Sequence, residues 1–181
     1  MYPGKYGAQH PDRPAFIMAE SGETVSYRDY EARCNKLAHL LRARGLARLD
    51  HYAIFMENHV RYLETCGAGE RAGHYYTCIN SYLTAEEVAY IVNNSESQVL
   101  ITSEYRREVA MAALADCPNV RLCIVVDGPG DGDKVVNLDE ATAEFPDTPI
   151  PDESLGTAML YSAGTTGQPK GAMLTHANLT N

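Results

Sequence analysis

Tyr52-Ala-Ile-Phe-Met56, Tyr75-Tyr-Thr-Cys78, Val99-Leu-Ile-Thr102 and Arg121-Leu-Cys-Ile-Val-Val126 are four short apolar runs. Their starts lie about 23 residues apart, close to the length of a strand plus a short crossover helix. Helical stretches fill the gaps, roughly Val60–Ala72, Ala85–Asn93 and Glu104–Ala115. The middle one carries its own start signal. Thr84 stands as N-cap, Glu87 completes a capping box, and Leu83 faces Val88 as a hydrophobic staple. Ile54–Met56 and Val99–Ile101 are apolar without alternation, as expected of strands covered on both faces. The pattern predicts an α/β fold, a mostly parallel sheet of βα units flanked by helices.

Upstream, residues 1–50 read as a strand pair and a helix. Ala15–Ala19 and Thr24–Ser26 are short extended runs about the turn pair Ser21-Gly22. A helix is expected over Tyr27–Arg44, capped by Ser26 with Asp29 three residues on. Tyr30, Cys34, Leu37 and Leu41 lie on its apolar face, and Gly45 follows its end. Residues 51–181 form the βα part. Within it Asp127–Asp133 reads as a solvated acidic loop, Leu138–Phe145 as a short helix, Pro146–Glu153 as a linker, and Ala158–Ser162 as one more buried strand.

Composition narrows the function. Of 181 residues, 45% are apolar and 22% charged, so the chain is globular rather than disordered. The net charge of −9 argues against a nucleic-acid or anionic-membrane partner. The apolar runs are far too short to span a bilayer, and Met1–His10 has no signal-peptide core. The five cysteines contain no CxxC pair, so neither a disulfide framework nor a zinc site is expected. Free thiols in a cytoplasmic setting are.

The chemistry concentrates in Ala158-Met-Leu-Tyr-Ser-Ala-Gly-Thr-Thr-Gly-Gln-Pro-Lys-Gly171, a strand running into a loop with three glycines, three hydroxyls and one lysine. Gly164 and Gly167 permit close backbone approach, and successive amides in such a loop form an anion-binding nest. Ser162, Thr165 and Thr166 add hydroxyl donors, and Lys170 adds a point charge. The spacing is neither that of a Walker A loop nor of GxGxxG.

The run Tyr161–Leu179 closely resembles the phosphate-binding signature of the AMP-forming adenylating enzymes, the superfamily of the acyl-CoA synthetases, firefly luciferase and peptide-synthetase adenylation domains. Similar segments recur upstream in family order: His10–Phe16, Gly22–Tyr27, Asn35–Leu41 and Leu83–Ile91. Ala53–Asn58 and Tyr75–Thr84 look most like bacterial fatty acyl-CoA synthetases. The resemblance implies the N-terminal, incomplete part of the adenylating-enzyme large domain. It also implies a ligase that joins a fatty acid to ATP, entering with Mg2+, to give acyl-AMP, and then to CoA as second substrate. Ser162, Gly164, Thr165, Thr166, Gly167 and Lys170 would hold the pyrophosphate to be expelled, and His176 would lie on the substrate side.

Departures from the family pattern are Ala163 in place of Ser or Gly, Leu49 in place of a turn Gly, and Gly67 and Gly69 inside a helix, each at about 1 kcal/mol against Ala. The resemblance also places the adenine, acyl, magnesium and adenylation-lysine sites beyond Asn181. The expectations are therefore a chain inactive by itself, binding ATP or pyrophosphate no better than about millimolar. It is also expected to self-associate through an edge strand, Ala158–Ser162 or a neighbour, left unpaired in its sheet. A remnant or interaction module without ligase activity is the alternative, favoured by Leu49 and the helix glycines.

Overall fold

The computed structural model describes residues 4–162 and 169–173. A seven-stranded sheet with order β7-β6-β5-β3-β4-β8-β9 organises the chain. Its centre is parallel: β3 (His51–Phe55) lies between β4 (Tyr75–Ile79) and β5 (Val99–Ser103), and β6 (Leu122–Val126) flanks β5. Residues of β3 alternate between two cores. Tyr52 and Ile54 join one face with Val99, Ile101, Leu122 and Ile124. Ala53 and Phe55 join the other with Leu100, Cys123 and Val125. The runs are continuously apolar because α2 (Tyr27–Ala43) and α3 (Tyr62–Ala72) cover the first face, while α4 (Ala85–Asn94) and α5 (Arg107–Leu114) cover the second.

The local start signals hold. Thr84 Oγ1 accepts from the Glu87 amide, and the Glu87 carboxylate accepts from the Thr84 amide at 2.8 Å. Ser26 accepts from the Asp29 amide at 3.1 Å, and Gly45 takes φ +86° after α2. The helix expected over Glu104–Ala115 opens as a 3₁₀ turn, Glu104–Arg106, before α5 begins. Upstream, β1 (Pro14–Ile17) and β2 (Thr24–Ser26) pair antiparallel in their own two-stranded sheet. α2 bridges the two sheets, with Tyr30 and Cys34 packed against Val25 and Phe16. Its Leu37, Leu40 and Leu41 are buried in the core of the large sheet.

Three elements go beyond the sequence expectation. α1 (Gly4–Gln9) forms ahead of the strand pair, β7 (Val135–Asn137) pairs parallel with β6, and β9 (Lys170–Met173) pairs antiparallel with β8 (Thr157–Ser162). Ala158–Ser162 is thus not the sheet edge. β9 and β7 are the edges, and all four β9 residues are exposed. The expected linker is instead a strap. Ile150 is buried in the core, the Asn35 amide donates to the Asp147 carbonyl at 2.7 Å, and His39 Nε2 donates to the Thr148 carbonyl. α6 (Leu138–Thr142) seats Leu138 in the same core.

Both helix glycines of α3 are sites of close packing. A Cβ on Gly67 would sit 2.5 Å from Tyr30 Oη and 2.7 Å from Cys34 Sγ, and one on Gly69 would sit 2.5 Å from Tyr52 Oη. They let α3 lie against α2 and β3, and they lend no weight to a decayed remnant. Leu49 takes φ +73° with half its surface exposed, and its amide donates to the Gly73 carbonyl. This position asks for a left-handed residue and has a leucine. Fully buried Arg71 fastens α3 to α2 through Asn35 Oδ1 at 2.9 Å and the Glu31 carboxylate at 3.2 Å.

Candidate functional site

The parallel strands end together. Phe55 is in register with Ile79 and Thr102, and Ser103 with Val126, so their following loops gather at one edge. In open α/β sheets that carboxyl edge is where ligands bind. A cleft of about 690 Å³ opens there. The β1–β2 turn (Glu20, Ser21) and the ends of β3 (Met56, Glu57) and β4 (Asn80, Tyr82) form its walls. Glu57 is held by the Ser103 hydroxyl, which donates to its carboxylate at 2.6 Å. A cavity of this size accommodates a small organic molecule. No motif in the sequence marked it, because its lining comes from three separated turns.

The predicted phosphate loop lies between β8 and β9. Ser162 is the last residue of β8 and Lys170 the first of β9, and they are register partners. Two of the six predicted residues are thereby brought together at the base of the loop, both exposed. Gly164, Thr165, Thr166 and Gly167 lie outside the described residues, as does His176. Among the described residues no carboxylate is within ion-pair distance of Lys170, so its charge is not committed to an internal partner there.

Two tyrosines fix the hairpin base to α4. Tyr90 Oη donates to the Pro169 carbonyl at 3.1 Å, and Tyr161 Oη donates to Asn94 Oδ1 at 2.7 Å. Burial pushes the Tyr161 phenol up to about 12, so it remains a donor throughout the physiological range. Gly171, opposite Tyr161, has no room for a side chain. A Cβ would press on Met159 Cε and stand 2.9 Å from the Tyr161 ring. The Tyr90 hydroxyl contact to Pro169 spans 79 residues and leaves no local signal.

A second cavity, about 290 Å³, lies between α2, α3 and α6. It is polar but internally matched. Arg61 Nε meets Glu64 at 2.7 Å and its Nη1 meets Asp139 at 2.7 Å, while Arg33 stands 3.7 Å from Glu64. Burial raises the Glu64 carboxyl and Arg61 opposes that rise. This network ties the first turns of α3 and α6 to α2. Among the described residues no three His, Cys, Asp or Glu side chains converge as metal ligands, and no helix is long and apolar enough to cross a membrane.

A mostly parallel sheet flanked by helices and closed at one side by the β8–β9 hairpin defines an α/β architecture. Comparison makes the assignment specific. The AMP-binding enzyme family profile matches residues 5–181, and the chain belongs to that family. Among curated relatives, a feruloyl-CoA synthase of Amycolatopsis sp is 35% identical over 167 residues, covering 92% of this chain and 31% of the relative. The 3-oxocholest-4-en-26-oate--CoA ligase of Rhodococcus rhodochrous is 30% identical, covering 93% of this chain and 31% of its own length. The chain therefore spans about a third of the length of these relatives. The anthranilate CoA ligase AuaEII, solved with anthranoyl-AMP, superposes with a TM-score of 0.80 at 19% identity, over 90% of this chain and 32% of that one. This last likeness is one of fold.

Proposed function

We propose that the chain is the N-terminal part of an AMP-forming acid–CoA ligase and supplies its pyrophosphate-holding loop. A carboxylate oxygen attacks the α-phosphorus of ATP, which enters as its magnesium complex. The bond to the β-phosphate breaks and pyrophosphate leaves. The CoA thiolate then attacks the acyl carbon of acyl-AMP and AMP departs. The loop acts in the first step alone. Thr165, Thr166 and the amides about Gly164 and Gly167 would meet the β- and γ-phosphates, with Ser162 and Lys170 adding a hydroxyl and a charge at the base. Donors set where negative charge grows lower the barrier without reorganising.

The observation that carries this reading is the hairpin within a matched family segment, with Ser162 and Lys170 in register across its mouth. The acid is taken to be a fatty acid, from the resemblance of Ala53–Asn58 and Tyr75–Thr84. A medium-chain-fatty-acid--CoA ligase of Ectopseudomonas oleovorans, 26% identical, supports that class. Feruloyl and steroid acids belong in the same substrate panel, given the relatives named above.

The test is a two-step assay on the natural-length protein. Lys170→Ala is expected to slow pyrophosphate release about tenfold, a loss of about 1.4 kcal/mol. Thioester formation from supplied acyl-AMP should be unchanged. Equal loss in both steps, or none in the first, would remove Lys170 from the phosphate site. Residues 1–181 alone are expected to release no pyrophosphate with any acid in the panel.

A further inference from the structure

Three of the five cysteines stand alone and buried: Cys34, Cys117 and Cys123. The other two form a pair. Cys66, on α3, and Cys78, on β4, place their sulfurs 3.9 Å apart, and both are only partly buried. The two residues are 12 apart in sequence, joined through the turn at Gly73. Bond formation would take the sulfurs from 3.9 Å to about 2.05 Å, a closure within reach of side-chain rotation. Tyr62, one turn before Cys66 on α3, lines the carboxyl-edge cleft and packs against the same core layer as the two cysteines. The pair thus stands directly behind the cleft wall.

The two thiols are not equivalent. The contact with Cys66 brings the Cys78 thiol down to about 7, against the effect of burial. Cys66 goes the other way. Its contact with Cys78 raises its thiol, and burial adds to the rise. Of the two, Cys78 is the thiol held lower and so the more readily ionised to the nucleophilic thiolate.

We propose that Cys66 and Cys78 are a reversible peroxide-responsive thiol pair, with Cys78 as the attacking sulfur and Cys66 as the resolving one. The Cys78 thiolate attacks one peroxide oxygen. The O–O bond breaks, and the departing hydroxide is protonated to water, leaving Cys78 as a sulfenic acid. The Cys66 sulfur then attacks the Cys78 sulfur. The S–O bond breaks as the S–S bond forms, and the departing hydroxide takes the Cys66 proton as a second water. Two thiols have lost two electrons and two protons, and one peroxide has become two waters. A small dithiol reverses the change by exchange. The disulfide fastens α3 to β4 one helical turn from Tyr62, so the redox state is felt at the cleft wall.

The experiment treats the natural-length protein with hydrogen peroxide, blocks remaining thiols under denaturing conditions, and maps the peptides by mass spectrometry. The expected result is a Cys66–Cys78 linked peptide, lighter by two hydrogens and returned to free thiols by dithiothreitol. In Cys66→Ser, which removes the resolving sulfur, dimedone should mark Cys78 as its sulfenic acid. That labelling should be at least about tenfold above the labelling of buried Cys123. In Cys78→Ser, neither a link nor a dimedone adduct at Cys66 should appear. Both cysteines recovered unlinked from peroxide-treated wild type, or an adduct carried by Cys66 in place of Cys78, would overturn the proposal. The wild-type map decides the matter even where a variant fails to fold.

Discussion

Gly69→Ala separates two opposed effects. By helix propensity alone the exchange stabilises α3 by about 1 kcal/mol. The surroundings point the other way. The new Cβ would stand 2.5 Å from Tyr52 Oη and 2.9 Å from Tyr52 Cε1, and Tyr52 is completely buried. That hydroxyl also bridges the helix, accepting from the Gly69 amide at 3.1 Å and donating to the Thr65 carbonyl. Overpacking costs about 1–3 kcal/mol, and breaking the buried bridge adds about 1–3 kcal/mol. After subtracting the propensity gain, the expected destabilisation is about 3 kcal/mol, a fall in melting temperature of roughly 6–12 °C for a domain of this size. Urea unfolding of the purified protein, followed by circular dichroism, measures it. Tyr52→Phe should make the two changes non-additive, because removing Oη relieves the closest contact and deletes the bridge already lost. A Gly69→Ala protein as stable as the parent or more so would refute the packing account and restore the propensity argument.

Leu49→Gly should stabilise by about 0.5–1 kcal/mol, because Leu49 holds φ +73° while half exposed and contributes little packing; a lower urea midpoint would count against strain at this turn. His74 is buried and burial lowers its ring. The unfolded chain takes up a proton near pH 6.5 that the fold resists, so stability is complete above that pH. It should fall by up to about 1.4 kcal/mol per unit as pH drops toward the folded value. Glu31 and Glu64, raised by burial, push in the opposite sense nearer the carboxylate range. The difference between wild type and His74→Leu at pH 7.5 and 5.5 isolates the histidine, and parallel midpoints in the two proteins would dismiss it.

The central strands and α4 were legible because each carries a local cause: continuous apolar runs for burial on both faces, and Thr84 with Glu87 for a helix start. What escaped depends on partners distant in sequence. Val135–Asn137 is a three-residue run behind an acidic turn, and only pairing with β6 makes it a strand. Lys170–Met173 is exposed at every position and owes its extension to β8. Gly67 and Gly69 read as helix faults until Tyr30 and Tyr52 are seen against them. At the site, composition marked the Gly/Thr loop, but the cleft at the ends of β3 and β4 and the tyrosine ties to α4 are assembled from separate turns.

β8 is in register with β4 only at Thr157 and Ala158, opposite Tyr75 and Tyr76. Beyond that point the hairpin projects as a cantilever, with two phenolic pins into α4 in place of a ladder. A ladder yields all at once. Pins release one at a time, each worth about 1 kcal/mol. The rod they enter begins at Thr84, directly after the Asn80–Tyr82 wall of the cleft. Cleft wall and loop base therefore share a single beam, and a shift of α4 along its axis moves both ends together.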